Sequence, residues 1–175
     1  MKIIVINGKP RAGKDLFVSL CQKHLLWCGN FSTVDFVKEI ATECGWDGTK
    51  TPENRAFLSD LKDLLTNWGD VPYQKVEREV SLYRAKAICS DFSDNEILCF
   101  IHCREPREIA KFVENMGAET LLILRKAVDH DTQSNHADAN VHGMAYDYVV
   151  KNDGTIEELE EKAVEFLRKL GYTIK

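Results

Sequence analysis

Near its N-terminus the chain reads Lys2-Ile3-Ile4-Val5-Ile6-Asn7-Gly8-Lys9-Pro10-Arg11-Ala12-Gly13-Lys14-Asp15-Leu16-Phe17. The aliphatic run from Ile3 to Ile6 does not alternate, as expected of a strand covered on both faces. It stops at Asn7, after which Gly8 and Gly13 bracket a polar loop that ends in Lys14. Beyond the loop, Phe17, Leu20, Cys21, His24 and Cys28 recur at helical spacing, and Gly29 stands where such a helix would stop. Strand, glycine loop and amphipathic helix thus follow one another directly.

Gly8 to Lys14 has the G-x-x-x-x-G-K spacing of a phosphate-binding loop. The chemistry explains the spacing. Glycines let the backbone wrap an anion and turn its N–H groups inward. The following helix N-terminus adds unpaired N–H groups and a favourable dipole. ATP is therefore the expected ligand, held by Gly8, Lys9, Pro10, Arg11, Ala12, Gly13, Lys14, Asp15 and Leu16, with Lys14 bridging the β- and γ-phosphates. Asp15 occupies the position where Ser or Thr usually meets Mg²⁺. As a hard oxygen donor it is a candidate Mg²⁺ ligand; as a first-turn acid it would also favour the helix without any metal.

Working outward, apolar runs predict further strands at 31–35, 97–102, 120–124 and 146–150. Thr51-Pro52 opens a helix whose apolar face is Phe57, Leu58, Leu61, Leu64, Leu65 and Trp68, stopping at Gly69. Residues 71–90 continue with Val76, Val80, Tyr83 and Ala87 at spacings of three and four. Pro106 opens another helix, closed by Gly117, and Thr155-Ile156-Glu157-Glu158 is a capping box for the last. This order predicts an α/β, three-layer P-loop NTPase fold: a five-stranded parallel sheet flanked by helices. The chain reads as one domain, with a core of 1–36, 95–125 and 145–175, an acceptor-binding helical region at 37–94, and a mobile lid at 126–144. The lid reading rests on a polar stretch of about twenty residues lacking apolar periodicity. It contains His130, His136 and His142 with Asp129, Asp131 and Asp138, a weak zinc pattern without helical ligand spacing.

Composition narrows the function. The chain has 175 residues and a formal net charge of −5, which argues against nucleic-acid polymers as partners. No run approaches the roughly 18 apolar residues of a membrane span, and the Ile3–Ile6 run is too short to read as a signal sequence. Cys21, Cys28, Cys44, Cys89, Cys99 and Cys103 form no C-x-x-C pair and read as buried free thiols of a cytoplasmic protein. The tryptophans Trp27, Trp46 and Trp68 read as core or groove-lining; Lys50, Lys62, Lys75 and Arg84 read as solvated helix faces.

The loop Gly8-Lys9-Pro10-Arg11-Ala12-Gly13-Lys14-Asp15 resembles the G-x-x-x-x-G-K-D loop of phage-type deoxynucleoside monophosphate kinases, and a similar loop occurs in animal-type phosphomevalonate kinases. Similarity continues at Asn54-Arg55-Ala56-Phe57-Leu58, at His102-Cys103-Arg104-Glu105-Pro106-Arg107-Glu108 and at Asn152-Asp153-Gly154-Thr155. The resemblance implies that Lys14, Arg104 and Arg125 surround the transferred phosphate, that Arg55, Arg104 and Asp35 meet the acceptor, and that Asn152, Asp153 and Gly154 border the adenine. Arg55 reads equally well as a surface ion-pair partner. The family strand that precedes Arg104 ends in Asp, where this chain has His102, a substitution that bears on metal handling.

The expected activity is transfer of the ATP γ-phosphoryl group to a nucleoside or deoxynucleoside monophosphate, by a monomer or homodimer. Arginine suits the developing charge because its planar fork stays protonated. Two alternatives stay open: a kinase for another small phosphorylated metabolite, and a P-loop nucleotide-binding regulatory protein with little transferase activity.

Overall fold

The structure is a computed structural model that describes residues 1–129 and 144–174. Its strands are β1 (Lys2–Asn7), β2 (Cys28–Ser32), β3 (Leu98–His102), β4 (Glu119–Leu124) and β5 (Tyr148–Lys151). They form one parallel sheet in the order β2-β3-β1-β4-β5. The helices are α1 (Lys14–Gln22), α2 (Asp35–Glu43), α3 (Pro52–Gly69), α4 (Val71–Cys89), α5 (Pro106–Met116), a short α6 (Lys126–Asp129) and α7 (Ile156–Lys169).

The three layers follow from the period of two along each strand. On β1, Ile4 and Ile6 face α1 and α7, packing with Phe17, Leu20, Leu159, Ala163 and Phe166. Ile3 and Val5 face α4 and α5, packing with Val76, Val80, Ile109 and Phe112. Both faces of the central strands are therefore dry, which is why their sequences are continuous aliphatic runs.

Local caps set several boundaries. Thr51 accepts the Asn54 N–H at 3.2 Å ahead of Pro52. At α7 the box is reciprocal: Glu158 N–H to the Thr155 hydroxyl, Thr155 N–H to the Glu158 carboxylate, both 3.3 Å. Between α3 and α4, Asp70 adopts a left-handed φ of 55° and turns the chain.

Several expectations are corrected. β2 begins at Cys28, three residues before the expected 31, and α1 ends at Gln22. Gly29 is a strand residue, not a helix stop; Phe31 and Tyr83 rings crowd the place a Cβ would take, at 2.6 and 3.1 Å. Residues 35–43 form α2, which the sequence reading missed because it ran the strand to Asp35. The apolar face of α3 is not core: no residue of α3 is fully buried, and Leu64 and Trp68 are 65% and 85% exposed. Helical spacing shows that a stripe exists but not what covers it. Lys62 is not a solvated lysine but half of a buried ion pair, its Nζ 2.7 Å from Glu108 on α5.

Among the cysteines, Cys21, Cys28, Cys99 and Cys103 are buried, whereas Cys44 and Cys89 are exposed; all are free thiols. Burial pushes Cys28 and Cys99 up to about 12, so they are packing residues rather than nucleophiles. No helix among the described residues is long and apolar enough to cross a membrane. The expected lid, apart from 126–129 and Met144, and the His130, His136 and His142 pattern lie outside the described residues.

Candidate functional site

The site begins where β1 ends. Asn7 is 1% exposed, and its Oδ1 accepts the Gly8 N–H at 2.7 Å while its Nδ2 donates to the Tyr146 hydroxyl at 2.8 Å. A polar residue closing an aliphatic strand was the available signal for this role. Burial pushes the Tyr146 phenol up, and the bond from Asn7 opposes that rise.

Gly8 has a φ of 147°, and a Cβ there would lie 2.5 Å from the Ile123 carbonyl oxygen of neighbouring β4. No larger residue fits between the two strands. The loop then turns through a Lys9 carbonyl to Ala12 N–H bond of 3.2 Å, with Arg11 at a left-handed φ of 62°. Gly13 is the N-cap of α1 at φ 97°. A Cβ on it would lie 2.2 Å from Asn152 Nδ2.

Lys14, the first residue of α1, is 9% exposed. Its Nζ donates to the carbonyls of Gly8 at 2.7 Å and Lys9 at 2.9 Å. The ammonium therefore lies against the crest of the loop. These two neutral acceptors are weaker partners than a phosphate would be, because hydrogen bonds to ionised groups are roughly twice as strong.

The opposite wall comes from the ends of β4 and β5. Asn152 N–H bonds the Leu124 carbonyl at 2.7 Å, and its Nδ2 donates to the Ala12 carbonyl at 2.8 Å. Asp153 accepts the Lys126 N–H at 2.7 Å, which anchors the start of α6. Both side chains thus brace the phosphate loop and its neighbour, and Gly154 follows before the cap of α7. Arg125 Nη1 reaches the Arg11 carbonyl at 3.5 Å.

His102 ends β3 beside this loop. Its side chain is 14% exposed, and Nε2 is buried without a hydrogen-bond partner. Nε2 lies 3.7 Å from Oδ1 of Asp15, which is 92% exposed in the first turn of α1. Burial holds His102 below its ordinary 6.5; the Asp15 carboxylate opposes this, Lys14 reinforces it, Asp35 opposes and Arg104 reinforces. Asp15, Lys14, Asp35 and Arg104 therefore each lie within electrostatic reach of His102 at the edge of the phosphate loop. Leu16 is 37% exposed next to Asp15. Arg55 is exposed on α3, and no hydrogen bond or ion pair among the described residues joins it to this group.

The described residues contain no group of three metal-binding side chains. They do offer a triphosphate a left-handed glycine loop, a nine-residue helix opening on it, and a lysine ammonium at its crest. A cation beside it would find the exposed Asp15 carboxylate and the orphaned His102 nitrogen.

Solved structures share this architecture. An APS kinase from Mycobacterium tuberculosis superposes with a TM-score of 0.50 over 95% of this chain and 96% of its own, at 13% identity. A sugar kinase from a Janibacter species gives 0.50 over 96% and 95%, at 13% identity. A dephospho-CoA kinase from Campylobacter jejuni gives 0.50 over 97% of each chain, at 12% identity. The fold is that of the P-loop kinases. At such identities the likeness extends to the fold. No protein-family model and no curated protein matches the sequence.

Proposed function

We propose that this chain is an ATP-dependent phosphotransferase that passes a γ-phosphoryl group to a small phosphorylated acceptor, a nucleoside or deoxynucleoside monophosphate. One observation carries the reading. A lysine ammonium is held over a left-handed glycine loop that opens α1, with His102 at the end of β3 lying 3.7 Å from Asp15 in the first turn of that helix.

Each residue then has a physical task. The Gly8–Lys14 backbone and the α1 N-terminus bind the triphosphate. Lys14 exchanges two backbone carbonyls for β- and γ-phosphate oxygens, a move of one side chain across the loop it already touches. Arg104 and Arg125 bring positive charge to the equatorial oxygens, and Arg104 also orients the acceptor. Asp35, at the start of α2, and Arg55, on α3 within the 37–94 helical region, are the acceptor contacts. Mg²⁺, held from Asp15, neutralises phosphate charge when bound. The acceptor oxygen is already anionic, so no side chain is asked to remove a proton.

The three structural neighbours carry the names of different acceptors, so the fold selects none of them. The monophosphate rests on the resemblance of the loop, Arg104 and Asn152 segments. A cytoplasmic location fits a reaction that consumes ATP. The test is ADP release measured by a coupled assay across a panel of nucleoside monophosphates and other phosphorylated metabolites. Acceptor-dependent turnover that disappears in Lys14→Ala, with the fold retained, supports the proposal. An equal slow rate with and without every acceptor overturns it.

A further inference from the structure

Five buried side-chain polar atoms among the described residues have no hydrogen-bond partner, and His102 Nε2 is the one beside the phosphate loop. Nε2 of His102 has no hydrogen-bond partner, although buried polar atoms nearly always find one. It is aimed across 3.7 Å at Asp15 Oδ1, too far for a hydrogen bond. Two ligand atoms about 2.1 Å from one ion stand about 3.0 Å apart in an octahedron and about 3.4 Å apart in a tetrahedron. Asp15 is 92% exposed, so a small rotation of its carboxylate closes the difference.

The donor set also selects among cations. Mg²⁺ prefers oxygen ligands and gives up water reluctantly. An imidazole nitrogen favours first-row transition metals, in the order Mn²⁺ below Co²⁺ below Ni²⁺. The surrounding charge sets a further condition. Lys14 and Arg104 oppose a bare dication here, while Asp15 and Asp35 attract it. Phosphate oxygens would tip that balance, so cation binding is expected only together with nucleotide.

We propose that His102 Nε2 and Asp15 Oδ1 jointly ligate the divalent cation that accompanies the nucleotide, and that the nitrogen makes this site prefer Mn²⁺ or Co²⁺ to Mg²⁺. The inference rests on the triphosphate reading of the loop and adds to it a metal ligand and a metal preference.

Electron spin-echo measurements on the whole chain with Mn²⁺ and β,γ-imido-ATP test it directly. The expected result is modulation from a directly bound imidazole ¹⁴N, present only with nucleotide and absent in His102→Gln. Competition between Mn²⁺ and Mg²⁺ for the nucleotide complex gives the second readout. The Mn²⁺ preference should fall at least tenfold in His102→Asp, the scale on which metal-site ligands and their supports act. Nucleotide and Mn²⁺ binding without nitrogen modulation in the wild-type protein overturns the inference and leaves the phosphotransferase reading standing. Failure of the analogue to bind with any cation overturns both.

Discussion

Replacing Gly13 by alanine should expose how the phosphate loop is held, because two separable penalties meet at that position. The first is conformational. Gly13 has a φ of 97°, and an L-residue with a Cβ in left-handed space loses about 1–2 kcal/mol. The second is steric, since the new Cβ would lie 2.2 Å from Asn152 Nδ2. That atom is the far end of a side chain and can swing away, but only by surrendering its 2.8 Å bond to the Ala12 carbonyl, worth about 1 kcal/mol. Gly13→Ala should therefore destabilise by about 2–3 kcal/mol, a fall in Tm of about 4–12 °C for a chain of this size. Asn152→Ala alone should destabilise by about 1 kcal/mol. In the double variant the clash and the bond are both already absent, so the total should stay near 2–3 kcal/mol instead of rising to 3–4. The coupling of about 1 kcal/mol is the signature of direct contact. Urea unfolding of the four proteins measures it, and fluorescent-nucleotide binding shows whether the loop loses affinity in step. Strict additivity would refute the argument, because it would mean that Gly13 and Asn152 do not meet.

Three further outcomes follow from other parts of the structure. Glu108→Gln leaves the Lys62 ammonium, 14% exposed, without its counter-charge, so it should destabilise by about 3–5 kcal/mol in urea; pairing it with Lys62→Met should recover most of that loss. Asp147 should confer acid sensitivity. Hydrogen bonds from the Thr120 hydroxyl and N–H hold its carboxyl below the ordinary 3.8, so the unfolded chain takes up the proton first; its contribution is complete above about pH 4 and is lost as pH falls through the native value, a slope that Asp147→Asn should flatten in acid-unfolding curves. Trp68→Ala, at a side chain 85% exposed, should change stability by no more than about 0.5 kcal/mol, whereas Phe112→Ala at 0% should lower it by about 3–5 kcal/mol by thermal melts.

The parts of the fold that the sequence announced are those governed by neighbouring residues. β1 has its expected ends because a glycine loop terminates it, and α7 starts where its capping box says. β2 was displaced because Gly29 carries two meanings, helix stop and small strand residue, and only the rings of Phe31 and Tyr83 choose between them. The stripe on α3 is real in spacing, yet Trp68, read as core or groove-lining, is 85% exposed, since periodicity records an apolar face without its partner. Lys62 was misread for the same reason. Its partner Glu108 sits 46 residues away on α5, and no pattern on α3 itself could reveal it.

The candidate site divides along the same line. Its anion-binding part is backbone chemistry, written locally in the glycines and lysine of one loop. The supports of that loop are not local: Tyr146 reaches Asn7 from 139 residues away and Asn152 reaches Ala12 from 140. Asn152, a candidate neighbour of the adenine, also donates its amide to the loop's own backbone. This changes what the second glycine of the motif means. Gly13 is required not only by its left-handed φ but by a side chain closing over it from the β5–α7 connection, so the phosphate loop and the Asn152 segment are two halves of one packed unit. A chain that kept the loop but replaced Asn152 would retain the motif and lose part of what holds it in shape.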